Sequence, residues 1–335
     1  MILKKIQQTI TASVLLLVFL YLLPLICMAD NPVGPLNQGN RYPLMFMMMT
    51  PVPHSPNLPE ERFLVKLRTD YTSVHIDKQS ENYEILTDME IGVVTPELEM
   101  KIGENLALGF SIPLISYNGG FLDGPLEDYH ELGNFPEYGR SLRPKNEFAC
   151  VVKKDDKTWF EADQHGLHPG DSRIDLKYVL TGNGWSKSSL LASLKIPTGD
   201  EDRGFGSGNM DYGFSLLTQF TRGKMAFYLN HGVIFPTDPE TAGADISYKT
   251  MATLFAGLEY IYSPAWSFAA QLNTFTSPLG DTGIDALDHP SVELAFGLTR
   301  SWGRNTRATF AFCEDLSGPA PDFTFHAGVE TSFNM

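Results

Sequence analysis

Residues 187–235 read KSSLLASLKIPTGDEDRGFGSGNMDYGFSLLTQFTRGKMAFYLNHGVIF. In the first third, Leu190, Ala192, Leu194 and Ile196 alternate with Ser189, Ser193 and Lys195. Beyond the glycine-rich stretch 198–208, Tyr212, Phe214, Leu216 and Phe220 alternate with Asp211, Gly213, Ser215 and Gln219. After the turn Arg222-Gly223-Lys224, Met225, Phe227, Leu229, Val233 and Phe235 stand against Ala226, Asn230 and Gly232. A period of two sustained over ten or so residues predicts strands, each with a large apolar face and a small or polar one. In a soluble sandwich the apolar face lines a core. In an outer-membrane barrel it meets lipid, while the polar face meets an aqueous lumen. The rest of the chain separates the two.

Upstream, Lys4 and Lys5 precede the almost wholly apolar run 10–26, and Cys27-Met28-Ala29 places small residues where a signal peptidase cleaves. This predicts a signal peptide over 1–29 with cleavage after Ala29, the alternative being an uncleaved anchor helix. Residues 30–61 form a proline-rich lead-in and 62–335 the strand-bearing body. Without the leader the chain carries 23 basic and 40 acidic residues, a formal charge of −17. That balance excludes nucleic acid as a partner, because phosphates require a basic patch. Cys150 and Cys313 are expected on opposite faces of separate strands, without a disulfide. Five prolines from Pro43 to Pro59 forbid a regular central strand or helix in the lead-in. It is expected either to enter the barrel mouth or to lie in the periplasm, and it is too short for a folded plug domain.

From Arg62 onward strand follows strand. Phe63, Val65, Leu67 and Tyr71 alternate with Lys66, Arg68, Asp70 and Thr72, and Tyr83, Ile85, Met89, Ile91 and Val93 with Glu84, Asp88 and Glu90. The tally is about fourteen strands, or twelve if the pair around Lys157 is a hairpin within a loop; single-chain barrels need an even number. Short turns at 103–105, 155–157, 182–186, 222–224, 263–265 and 303–306 alternate with longer loops at 116–145, 165–170, 198–208, 236–247, 277–289 and 315–321. Brief periplasmic turns facing longer outer loops distinguish a barrel from a sandwich. Trp159, Trp185, Trp266 and Trp302 all fall beside short turns, as an interfacial girdle on one rim requires. The expectation is an all-β, antiparallel transmembrane barrel of about 12–14 strands in the outer membrane, its last strand 322–335 closing against the first. The loop 116–145 is expected at the cell surface, folding into the lumen to narrow it.

Several stretches together resemble an uncharacterised bacterial barrel family, the domain of unknown function 3187. They are Asn31-Pro32 through Pro35-Leu36-Asn37, Pro43-Leu44, Gly119-Gly120-Phe121-Leu122-Asp123 with Leu126 and His130, Arg143-Pro144, and Gly170-Asp171. Lys195-Ile196-Pro197-Thr198-Gly199-Asp200, Gly206-Ser207-Gly208 with Asp211, and Glu314-Asp315 with Pro321-Asp322-Phe323 complete the set. The Pro-Thr-Gly-Asp stretch also looks like barrels of aromatic-degradation gene clusters. His168-Pro169 departs from the pattern where a further glycine is usual. The resemblance implies an outer-membrane barrel and no established activity.

No motif supports a catalytic assignment, and no cofactor or metal is expected. Residues 204–208 resemble a phosphate loop in glycine content alone. Asp200, Asp202 and Gly204 resemble the start of a calcium loop without its closing glutamate. His165 and His168 have weak metal geometry, and His130 beside Asp128 has no serine placed with it. Lys66, Arg68, Asp70, Glu84, Asp88, Glu90 and Glu330 are expected to line the lumen, as a solute filter or as a salt-bridged interior. The expected function is passive passage or binding of a small solute. The alternatives are a lipid-acting outer-membrane enzyme and a closed structural barrel. Expected partners are outer-membrane lipid, a small-molecule solute and, through the last strand, the barrel-assembly machinery.

Overall fold

A computed structural model describes residues 32–133, 143–239, 245–318, 321 and 323–334. The expected leader and cleavage site lie outside the described residues, as do Asp322 and Met335. Strands β1 (Phe63–Gln79) and β2 (Tyr83–Ile102) form a tall hairpin, and β3 (Leu106–Ser111) and β4 (Leu114–Asn118) climb back beside β2. Helix α1 (Asp123–Gly133) follows, then β5 (Ala149–Lys154), β6 (Lys157–Glu161) and β7 (His165–Pro169) at the same end of the molecule. A regular meander completes the wall: β8 (Ser172–Gly182), β9 (Ser186–Ile196), β10 (Asp211–Arg222) and β11 (Met225–Phe235). It continues through β12 (Met251–Ser263), β13 (Trp266–Phe275), β14 (Ser291–Trp302), β15 (Thr306–Asp315) and β16 (Phe323–Phe333), with a short helix α2 (Asp285–Asp288) between β13 and β14.

The wall is a closed antiparallel barrel of twelve strands, β1 to β3 and β8 to β16. Closure joins β16 to β1 with Phe63 opposite Phe333 and Lys66 opposite Glu330. Among the described residues it leaves no edge of the wall unpaired, where backbone groups would meet hydrocarbon that could not satisfy them. β4 to β7 raise one side of the outer rim. The turn at 155–157 is a hairpin between β5 and β6 at that outer rim, not a periplasmic turn, so the twelve-strand reading is the right one. The other short turns expected on one rim do share it, while the tight β1–β2 turn at 80–82 lies at the opposite end.

Alternation sorts the side chains of the meander as its sequence reads. Leu190, Tyr212, Phe214, Phe220 and Phe235 are exposed on the outside; Ser189, Ser193, Lys195, Asp211 and Asn230 are buried inside. Trp185 stacks on Phe220, and Arg300 lies over the rings of Trp266 and Trp302, so three tryptophans mark the short-turn rim. Trp159 does not join them. It is buried beside Tyr248 at the outer end, because the hairpin that carries it lies there.

The lead-in threads the lumen. Val33 and Gly34 donate their N–H groups to Glu259, near the short-turn rim, and Leu36 N–H donates to Gln271. The chain climbs to a 3-10 turn, Pro43–Met47, and returns past Met49, whose N–H donates to Asp211 (2.6 Å). His54 N–H donates to Asn230, and Asn57 donates to Gln219 on the way back down. Prolines suit this segment because its hydrogen bonds go to wall side chains, so it needs no ladder of its own.

Candidate functional site

The inserted segment divides the lumen into two tiers. In the outer tier Tyr42, Leu44, Met45, Phe46, Met47, Met48 and Met49 pack against Val74, Ile85, Met89, Ile91, Val93, Ile115, Tyr117, Phe205, Met251 and Phe275. The unbranched, polarisable methionines fill irregular gaps between wall side chains and seal this level. Below, the walls carry ion pairs. Lys66 Nζ lies 2.8 Å from Glu97, Arg68 3.2 Å from Glu97, Lys177 2.9 Å from Glu99, and Arg173 2.8 Å from Asp175. Between the tiers Arg41 reaches from the segment to Asp70 (Nε 2.9 Å), which also accepts from His326 (2.6 Å).

This arrangement corrects the sequence-based assignment of lumenal charges. Lys66, Arg68, Asp70 and Glu330 stand on the inward face. Glu84, Asp88 and Glu90 do not share it. β2 runs unbroken from Tyr83 to Ile102, so alternation puts Ile85, Met89, Ile91 and Val93 inward with Glu97 and Glu99, and the even-numbered acids outward. The apolar side chains of upper β2 face the methionine tier rather than lipid. Glu97 and Glu99 are the inward acids of this strand, and the change of apolar phase between Val93 and Leu98 was the signal for them.

The outward acids are covered instead by the loop 116–145. Glu90 accepts the N–H groups of Phe121 (2.8 Å) and Leu122 (2.5 Å), and Asp88 pairs with Arg143 (2.9 Å). Leu122 and Leu126 pack on Phe323, Tyr71 and Phe312, all on the outside of the wall. The described part of this loop therefore lies against the barrel exterior and does not narrow the lumen, the second correction. Gly120 has φ +72°, and a Cβ there would fall on the Glu90 carboxylate, so the approach needs glycine. Helix α1 contains His130, whose side chain lies outside the described set.

Three of the stretches that carried the family resemblance, 170–171, 195–200 and 206–211, converge on one knot at the outer rim. Asp171 accepts from Gly199 N–H (3.0 Å), Ser207 N–H (3.2 Å) and Lys195 (2.7 Å). Lys195 also bonds the Ser207 hydroxyl and Asn209 O, and lies 3.5 Å from Asp211. Asp211 in turn holds Met49 and Thr237 N–H, tying the inserted segment to the start of β10 and the loop after β11. Phe205, swung inward by this loop, stacks between Tyr117 and His168 (4.9 Å each). The glycine-rich loop is thus a buried clasp, with Asp200 and Arg203 paired at the surface beside it. His165 and His168 face Phe205, their ring centres 5.4 Å apart. Cys150 and Cys313 are both buried and free, and both point inward, not to opposite faces.

Beneath the methionine tier lies a cavity of ≈ 80 Å³ reached by Arg41, Arg68, Thr95 and Arg173. A vestibule of ≈ 430 Å³, lined by Lys66, Glu99, Lys177, Lys187, Arg307 and Glu330, lies toward the short-turn rim. His54 borders both spaces. Burial in this setting pushes its imidazole down to about 3, so at neutral pH it is uncharged.

A closed twelve-strand wall with an apolar exterior, an aromatic rim and a polar lower lumen defines a transmembrane barrel of the bacterial outer membrane. The chain belongs to the DUF3187 family, described as proteins of unknown function, whose model matches residues 10–333. Among solved structures it is similar in fold to the COG4313 outer membrane channel from Pseudomonas putida F1, at 14% identity and TM-score 0.55, covering 83% of this chain and 97% of that one. A lesser likeness, TM-score 0.43 at 11% identity, is to the toluene transporter TbuX of Ralstonia pickettii, over 92% of this chain and 99% of that one. No curated protein matches the chain.

Proposed function

We propose that this barrel binds and passes a small solute through its lumen, with residues 32–61 acting as the gate. The observation that carries the reading is the construction of the lumen. The obstruction is a single inserted segment, not the wall, and a cavity and a wider vestibule lie beneath it. The segment is held by the Arg41–Asp70 pair and by hydrogen bonds and apolar contacts that are individually worth about 1–3 kcal/mol and separable. Displacing the 42–49 arch would join the cavity to the outer side. Lys66, Arg68, Asp70 and Glu330 then act on the passing solute, in company with Glu97, Glu99, Lys177 and Arg307. The Pseudomonas putida protein of similar fold is an outer membrane channel, which accords with this use of the fold.

The apolar exterior takes outer-membrane lipid as its partner, and the aromatic strand β16 is the element that the barrel-assembly machinery recognises. Conductance in planar bilayers tests the gate. Wild-type protein should conduct weakly, and a variant lacking residues 33–58 should conduct several times better. A plug-less barrel that shifts on unheated gels yet carries no current would overturn the proposal.

A further inference from the structure

Two buried donors face the cavity beneath the gate, without a partner among the described residues. Arg68 and Thr95 sit directly opposite one another on β1 and β2, and only 7% and 4% of each is exposed. The Arg68 guanidinium donates through Nη1 to Asn37 O (3.1 Å) and pairs through Nη2 with Glu97, but its Nε has no partner among the described residues. The Thr95 hydroxyl has none either. Buried polar groups are nearly always satisfied, so two adjacent orphans on one cavity wall mark a place for an acceptor. Met45, Phe46, Met48 and Phe205 give the same cavity apolar lining.

We propose that this cavity binds the carboxylate of a short-chain aliphatic acid, received by Arg68 Nε–H and the Thr95 hydroxyl, with the alkyl tail under the methionines. The inference rests on the lumen being a solute route, and it names the solute. Volume sets the size. At roughly 10–15 Å³ per water-sized occupant, ≈ 80 Å³ holds about six non-hydrogen atoms, the size of butyrate. Charge sets the sign. Arg41, Arg68, Arg173 and Lys195 border the cavity against Glu97, Asp171 and Asp175, while Asp70 and Asp211 lie behind Arg41 and Lys195. With Asp70 on Arg41 and Asp211 on Lys195 those two cations are already matched, so the sign is set by the orphan itself. The unpartnered Nε–H belongs to a guanidinium, which a carboxylate complements and an ammonium, itself a donor, does not. Access runs past His54, which borders both cavity and vestibule.

The experiment is calorimetric titration of the full barrel in lipid nanodiscs with butyrate, acetate and butylammonium. Saturable one-to-one binding of butyrate is expected, weaker binding of acetate for want of a tail, and none of butylammonium. Thr95→Val, which keeps the shape and removes the hydroxyl, should weaken butyrate roughly tenfold, as loss of a hydrogen bond to a charged group does. Should that variant fail to assemble, methyl-labelled wild-type protein gives a second reading, in which Met45 and Met48 signals shift as butyrate is added. Absence of saturable butyrate binding, an unchanged affinity in Thr95→Val, or equal binding of butylammonium overturns the site. A plug-less barrel that conducts, in a protein that ignores butyrate, defeats the site and spares the gate. The reverse pair of results defeats the gate and spares the site.

Discussion

Asp70 has no exposed surface and holds two partners from distant parts of the chain, Arg41 on the inserted segment and His326 on the last strand. Removing one member of a buried pair leaves the other charged and unsolvated, at about 3–5 kcal/mol. Asp70→Asn should therefore lower the temperature at which the compact form is lost on unheated gels, and should raise conductance by loosening the gate. An unaltered melting temperature would show that Arg41 finds another acceptor. His54 gives the gate a pH dependence of definite sign. Its folded value, near 3, lies below the ordinary 6.5, so the displaced segment binds the proton more readily than the inserted one. The contribution is complete above about 6.5 and falls by up to about 1.4 kcal/mol per unit as pH drops toward 3. Conductance should thus rise on acidification from pH 6.5 to 5, and His54→Asn should flatten that response. A rise of equal size in the variant would assign it to carboxylates instead.

At the scale of elements, one loop changed sides relative to its sequence reading. The helix-bearing loop was expected inside the lumen because Leu122 and Leu126 are more apolar than a solvated loop should be. They are apolar because Tyr71, Phe312 and Phe323 offer them an exterior seat, while Glu90 caps the N–H groups of the turn before α1. Deleting residues 123–138 should consequently leave single-channel conductance unchanged. A large increase would return the loop to the lumen. The last strand behaves as its alternation requires. Phe333 stacks on Phe63 (5.8 Å) at the closure, and Asn334 accepts from Arg62 N–H through its side-chain oxygen. Truncation after Ser332 should reduce outer-membrane insertion far more than synthesis, because an open edge exposes backbone groups to hydrocarbon at several kcal/mol each. Normal amounts of compact protein in the outer-membrane fraction would count against this role.

For the whole molecule, one wall encloses one inserted segment, and the two were unequally legible. Strict alternation along β8 to β16, short turns at one rim and Trp185, Trp266 and Trp302 beside them fix a closed barrel from local chemistry alone, because the membrane imposes a period of two on every spanning strand. The stretches 195–200 and 206–211 could be recognised as a family feature, yet nothing local revealed that Asp171 and Lys195 gather them into a clasp. The path of residues 32–61 was equally hidden. Their prolines excluded a strand but did not say what the methionines would meet, since the partners lie up to two hundred residues or more away on the wall. That one long-range contact also reverses the meaning of apolar residues in upper β1 and β2, where Val74, Ile76, Ile85, Met89 and Ile91 face the inserted segment rather than lipid. Sequence by itself determined the wall, because each strand answers to its own two environments. Only tertiary structure decided the lumen, because the environment inside a barrel is whatever the rest of the chain places there.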